Sequence, residues 1–276
     1  MSLRDTLRRY RLYYKSGKDF RRALARPALA WLLPWRPGAA RVALRSGRTA
    51  TLPAGHWDLL PVMCRLDALG ASCAVVDGHK RVELAGLTLW SPLTTRADPE
   101  YYREVFIDDV YGARGVDRRG QVVVDIGAWV GDSAVAYALA GARVHAVEPL
   151  ASLSGCIARN AAANGVAELV TAHRVGLAER DQTLPGPDPL VLVEGIAYTL
   201  AHLPRAIDVL KIDCEGAEYY LFGNPAFLDH LEPREIRMEY HHGPEPLARL
   251  LRERGYQLEY DPGNLGTGLL RAVRPS

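Results

Sequence analysis

Residues 121–149 read QVVVDIGAWVGDSAVAYALAGARVHAVEP, and no other stretch restricts the fold so strongly. Val122, Val123 and Val124 form a β-branched run of the kind found in a buried strand. The run stops at Asp125. Gly127 and Gly131 flank a tight turn, Asp132 and Ser133 are good helix-start residues, and residues 133–140 are rich in helix formers. Gly141 stops that helix, and residues 143–147 form a second strand ending in Glu148 and Pro149. The pattern predicts a β-α-β unit with a glycine turn after the first strand and an acid after the second.

Each part has a chemical use. Open α/β sheets bind ligands outside the carboxyl ends of their strands. Glycines let backbone approach a ligand closely, and a helix start offers free N–H groups at a positive dipole end. An acid at the end of the second strand can accept two hydrogen bonds from a ribose diol. The spacing is G-x-x-x-G and not G-x-G-x-x-G, so a pyrophosphate is not the natural tenant. A nucleoside with a small charged tail suits the pattern better, and S-adenosylmethionine (SAM) is such a molecule. A packed turn with incidental glycines explains G-x-x-x-G alone; it explains less well Asp125 before the turn and Glu148 after it.

A length of 276 residues accommodates one large domain with a substantial extension, and a 48% apolar content supports an ample core. No apolar run reaches membrane-span length, and the arginine-rich start has no clean apolar segment after it, so the expectation is a cytoplasmic protein. Cys64, Cys73, Cys156 and Cys214 form no C-x-x-C pair and read as small core residues in a reducing compartment. The net charge of +2 hides an asymmetry: residues 1–48 carry 13 Lys and Arg against 2 Asp and Glu. A basic arm on an acidic body can meet nucleic acid, an anionic membrane or the body itself.

Leu3, Leu7, Tyr10 and Tyr14 recur at helical spacing with arginines between them, which predicts a basic amphipathic helix in an arm over 1–40. That helix docks on the domain or lies at a membrane interface. Trp31, Leu32, Leu33 and Trp35 add an apolar patch suited to a bilayer surface or a homodimer contact. Residues 41–99 read as an accessory α+β region: a hairpin around Ser46 and Gly47, a helix over 56–69, and three short strands joined at Asp77-Gly78 and Ala85-Gly86. Residues 100–276 form the main domain. It opens with a helix over 100–109. After the central unit come a helix over 153–164, strands over 168–175, 207–212 and 235–240, a proline-rich loop over 183–189, and two closing strands. The alternation predicts an α/β fold with a mostly parallel sheet covered on both faces.

Three segments together, VVVDIGAWVGDSAVAYA, VHAVEPLASLSGCIARNAAANGV and IDVLKIDCEGAEYYLF, resemble the FkbM-type SAM-dependent methyltransferases over roughly residues 100–273. The K-I-D-x-E-G-A-E run is the most specific element. The resemblance implies a Rossmann-like, seven-stranded methyltransferase sheet with a reversed last strand. It implies that Asp125, Gly127 and Gly131 line the methionine end of SAM, with Trp129 and Asp132 in the same loop. Glu148 would hold the ribose, Gly176 and Leu177 would flank the adenine, and Asp213 would face the transfer site. Trp129 stands where the family more often has a small or polar residue.

The expected reaction is O-methylation of a hydroxyl on a sugar, glycan, lipid headgroup or small metabolite. A hydroxyl acceptor requires a base. Asp213, Glu215, Glu239, His241 and His242 stand at the ends of the fourth and fifth strands, and Asp213, Glu215 and His241 are the catalytic candidates. Turn and cap chemistry is the plain alternative for the acids, and surface placement for the histidines. Asp213, Glu239 and His241 could together ligate a metal, but no ligand triad appears at a recognised spacing, so no metal is assigned. Lys211 shares a strand face with Asp213 and reads as a partly buried structural cation paired with an acid. The rival functions are an RNA methyltransferase that uses the basic arm, and a non-catalytic SAM-binding protein held at membranes.

Overall fold

The computed structural model describes residue 24 and residues 38–186, 188–261 and 266–275. The basic amphipathic pattern and the Trp31–Trp35 patch lie outside the described residues. Among the described residues, no helix is long and apolar enough to cross a membrane. Contacts divide the chain into two compact units between Arg103 and Glu104, a cut that falls inside the helix Asp98–Phe106.

In the first unit, β1 (Ala40–Ala43) and β2 (Thr49–Leu52) form an antiparallel hairpin turned at Gly47. A short 3-10 turn leads into the helix Leu60–Ala68. β3 (Ser72–Val76), β4 (His79–Leu84) and β5 (Leu87–Pro92) follow as an antiparallel meander. Both two-residue turns have positive φ at both central residues: 47° and 73° at Asp77-Gly78, 51° and 85° at Ala85-Gly86. That conformation matches the twist of paired strands, and Asp-Gly suits it well. Leu24, Leu52, Trp57, Leu59 and Leu60 belong to one buried cluster. Lys80, also buried, is neutralised by Asp98 at 2.5 Å.

The second unit is built on a seven-stranded sheet in the order β14-β15-β13-β12-β6-β7-β8. Its strands are β6 (Val122–Ile126), β7 (Arg143–Val147), β8 (Val170–His173), β12 (Val209–Ile212), β13 (Glu235–Tyr240), β14 (Gln257–Tyr260) and β15 (Gly268–Val273). Pairing is parallel from β8 through β7, β6 and β12 to β13, and β15 alone runs against its neighbours. This is the expected α/β, Rossmann-like sheet with its last strand reversed. Val123 and Val124 are fully buried on β6, as central strands covered on both faces require. The chain runs outward from β6 to β8, then crosses back to β12 on the other side. The strand order therefore reverses between β6 and β12, which is where open α/β sheets place their ligands.

Two features went unread in the sequence. Around the expected proline-rich loop over 183–189, the chain forms a small sheet of β9 (Gly176–Ala178), β10 (Gln182–Leu184) and β11 (Leu190–Glu194). The helix Pro225–Leu231 is an additional element, started by Asn224 accepting from the Ala226 N–H at 3.0 Å and by Pro225 at the first helical position. Asn-Pro is a legible start signal, because proline at that position gives up only an N–H that has no helical partner.

Candidate functional site

The turn after β6 is tied to β7 by its own backbone. The Gly127 and Ala128 N–H groups both donate to the Val147 carbonyl at 3.0 Å. Gly127 (φ 77°) and Gly131 (φ 83°) are left-handed. A Cβ on Gly127 would stand 1.7 Å from the Asp213 carbonyl oxygen, and one on Gly131 would stand 3.1 Å from the Ile157 Cα. These glycines allow the loops after β6 and β12 to touch each other and let the helix Ala151–Ala163 close in. The chain itself fills the space beside them, so packing alone already requires these glycines, apart from any ligand approach. Trp129 is also left-handed at φ 48°, a conformation that costs a non-glycine residue about 1–2 kcal/mol. Its N–H is thereby delivered to Glu148 Oε2 at 3.1 Å.

Glu148 is only 6% exposed, and its other oxygen, Oε1, accepts from the Leu150 N–H at 2.9 Å. Burial pushes its carboxyl up to about 7, against the pull of the two N–H donors. Asp132 opens the helix Asp132–Leu139 and is likewise pushed to about 7 by burial. Asp125 is fully buried and committed to neighbours: its Oδ2 accepts from Ser133 Oγ at 2.6 Å, and Lys211 Nζ lies 3.0 Å from Oδ1. Lys211 also donates to the Gly127 carbonyl at 2.7 Å and stands 5.1 Å from the centre of the Tyr111 ring. Burial alone would lower the lysine; the charges of Asp125 and Asp213 outweigh it and hold the ammonium on. Asp125 and Lys211 thus form the buried brace beneath both loops. Gly176 and Leu177 begin β9: a Cβ on Gly176 would strike Leu192 and Pro149, and Leu177 is buried in the hydrophobic core.

The second group of residues stands past β12 and β13. Asp213 Oδ2 accepts from the Tyr111 hydroxyl at 3.1 Å. Burial, with Asp213 beside it, keeps that hydroxyl protonated far above its usual range. His241 Nε2 lies 3.7 Å from Asp213 Oδ1 and 3.7 Å from Glu215 Oε2. Its Nδ1 meets Glu218 Oε1 at 3.0 Å, and Glu218 is fully buried. Glu218 also accepts from the backbone N–H groups of His241 at 3.2 Å and Gly216 at 3.0 Å. Burial would depress the imidazole, but Glu218, Asp213 and Glu215 raise it above its ordinary value. Glu239 is pushed up to about 7 by burial first and Asp213 second. Asp213, Glu239 and His241 each offer one ligand atom, and these three atoms lie within 4.8 Å of one another. Glu215 extends into solvent from a left-handed backbone at φ 56°. His242 sits beside Gly216, where a Cβ would meet its Nε2 at 2.9 Å. Two non-glycine residues in left-handed backbone, Trp129 and Glu215, therefore occupy the two loops at the switch point; strain of this kind concentrates at functional sites.

Residues 125–258 match the model of the methyltransferase FkbM domain. The chain carries an FkbM methyltransferase domain. It is a SAM-dependent enzyme, and SAM is its cofactor. The FkbM match takes in both strand-end loops and the Asp213, Glu239 and His241 group, and it leaves out β15 and Tyr111. No curated protein matches the sequence. Among solved structures, a precorrin-6y C5,15-methyltransferase from Geobacter metallireducens is similar at 21% identity and TM-score 0.41, covering 62% of this chain and 88% of its own. A transferase from Pyrococcus horikoshii is similar at 16% identity and TM-score 0.48, covering 97% and 100%. A SAM-dependent methyltransferase from Agrobacterium tumefaciens is similar at 12% identity and TM-score 0.45, covering 74% and 72%. The assignment rests on the family match and on none of these three.

Tyr111 and Glu218 are the residues that sequence reasoning passed over. Tyr111 lies in a short V-Y-G segment with no pattern of its own. Glu218 belongs to the K-I-D-x-E-G-A-E run and is the second residue of the helix Ala217–Gly223, five positions after Asp213, a spacing that carries no signal of its own.

Proposed function

We propose that this enzyme methylates a hydroxyl oxygen of a sugar, glycan, lipid headgroup or small metabolite. The observation that carries the reading is the convergence of Asp213, Glu239 and His241 at the carboxyl ends of β12 and β13, beside the switch point. Bound SAM supplies a methyl group already activated on a sulfonium, so the protein's work is alignment and proton removal.

The chain's own residues fit that cofactor. Each oxygen of Glu148 takes one backbone N–H and keeps a further lone pair, so the buried carboxylate can still receive the two hydroxyls of a ribose. Trp129, Gly127, Gly131 and Asp132 form the loop at the methionine end, with Asp125 bracing it from below. Gly176 and Leu177 stand on the adenine side. Asp213, steadied by Tyr111, and His241, steadied by Glu218, hold the acceptor hydroxyl between them. Its proton leaves through this group toward Glu215, whose carboxylate reaches solvent 3.7 Å from His241 Nε2.

The test is transfer of labelled methyl from SAM into glycan, lipid and metabolite pools, with the product bond identified by mass spectrometry. The reading expects an O-methyl product and its loss in Asp213→Ala with SAM affinity intact. N-methyl or C-methyl products would contradict it. The charge balance of residues 1–48 supports a separate element: attraction of the protein to an anionic surface. Flotation with phosphatidylserine vesicles, full length against a chain lacking residues 1–37, tests that element. Equal flotation of the two would remove it.

A further inference from the structure

We propose that Asp213, Glu239 and His241 bind one divalent cation of the Mg2+ and Mn2+ class. The acceptor's oxygen would then be held on that cation. The binding site is argued from the side chains alone; only the cation's role in catalysis rests on the O-methylation reading.

One ligand atom from each of the three residues lies within 4.8 Å of the other two. Asp213 Oδ1 and His241 Nε2 face each other at 3.7 Å, too far apart to share a proton directly. The Glu239 side chain makes no hydrogen bond among the described residues. The opposite side of two of these groups is fixed. Tyr111 holds Asp213 through Oδ2 at 3.1 Å, and Glu218 holds His241 through Nδ1 at 3.0 Å. A proton on Nδ1 leaves the Nε2 lone pair pointing away from Glu218, toward the two carboxylates. A carboxylate behind the distal ring nitrogen is the usual support of a metal-binding histidine. The donor types then select the metal. Two carboxylates with one imidazole suit Mn2+ and Mg2+, whereas thiolate-rich or imidazole-rich sets favour softer ions. Cys214, the nearby thiol, is turned to Glu218, its Sγ donating to Oε2 at 3.3 Å.

Electrostatics points the same way. Ionising a hydroxyl between Asp213 and Glu239 would place a negative charge against two carboxyl groups. The nearest buried lysine, Lys211, is already paired with Asp125. A divalent cation reverses the local sign and lowers the acidity threshold of an oxygen bound to it. The coordinated hydroxyl would then lose its proton to the Glu215 carboxylate or to water, with the oxygen keeping the bonding pair. A cation with open positions would also favour acceptors that present two neighbouring oxygens, as a sugar diol does.

The experiment is titration of the full-length protein, stripped with EDTA, with Mn2+ followed by electron paramagnetic resonance. Calorimetry with SAM and a thermal melt are run on the same samples. The expected result is one bound Mn2+ per chain, with Mg2+ competing for it. Glu239→Gln and His241→Ala should each weaken Mn2+ at least about tenfold while still melting cooperatively and binding SAM. Absence of bound Mn2+ in wild-type protein that binds SAM would overturn the proposal. So would unchanged Mn2+ affinity in folded Glu239→Gln. If Mn2+ binds as described and the methyl product proves not to be an ether, the O-methylation reading falls and the cation site stands.

Discussion

Lys211→Met tests the brace beneath the site. The lysine is 3% exposed, lies 3.0 Å from a fully buried Asp125, and donates to the Gly127 carbonyl at 2.7 Å. Methionine fills a similar volume and removes the charge. Asp125 keeps its Ser133 bond but loses its counter-charge, and the Gly127 carbonyl loses a donor. Deleting one partner of a buried ion pair costs about 3–5 kcal/mol. Each kcal/mol moves the midpoint of a unit of this size by about 2–4 °C, so the expected drop is roughly 6–20 °C. The assay is thermal and urea unfolding followed by circular dichroism at pH 7. The double variant Lys211→Met with Asp125→Asn should lose less than the two single losses added together, because neither charge is then stranded. A single-variant loss under about 1 kcal/mol, or strict additivity in the double variant, would refute the brace.

Other expectations follow from the same geometry. Glu148→Gln should weaken SAM binding by about 1.5–3 kcal/mol, the usual worth of hydrogen bonds to a charged group, as read by calorimetry. Glu148 and Asp132 have carboxyls raised to about 7 in the folded chain, so the folded state holds more protons than the unfolded one from about pH 4 to 7. Their contribution to stability is therefore full below that window and lost as pH rises through about 7, with a slope of at most about 1.4 kcal/mol per pH unit per group. Melting curves across that range should show the decline, and Glu148→Gln should make it shallower. Gly127→Ala places a methyl 1.7 Å from the Asp213 carbonyl oxygen and should abolish cooperative unfolding of the second unit; a melt within a few degrees of wild type would show that the two loops can part.

The sheet was legible because its signals are local and periodic. The valine run of β6, the glycine stop at Gly141, the two positive-φ turns of the first unit and the alternation of strands 235–240 and 268–273 each follow from a few adjacent residues. The sheet of β9, β10 and β11 was not legible, because short strands among Pro185, Gly186 and Pro189 carry no period and gain their pairing from distant partners. In the site, residue types were legible and commitments were not. Asp125 reads as a ligand residue until its partners Ser133 and Lys211, 8 and 86 positions away, claim it. Glu218 and Tyr111 become visible only when folding brings them to His241 and Asp213. The packing need for the glycines of the first loop was not legible, since it comes from the Asp213 carbonyl and Ile157, which are distant in sequence.

A crystal structure of the full-length protein with S-adenosylhomocysteine tests the central claim most directly. The account predicts the ribose hydroxyls on Glu148, the amino-acid tail along the loop of Gly127, Trp129 and Gly131, and the sulfur directed at Asp213, Glu239 and His241. Cofactor density at any other edge of the sheet, or a Glu148 carboxylate bonded only to Trp129 and Leu150 beside a bound cofactor, would contradict it.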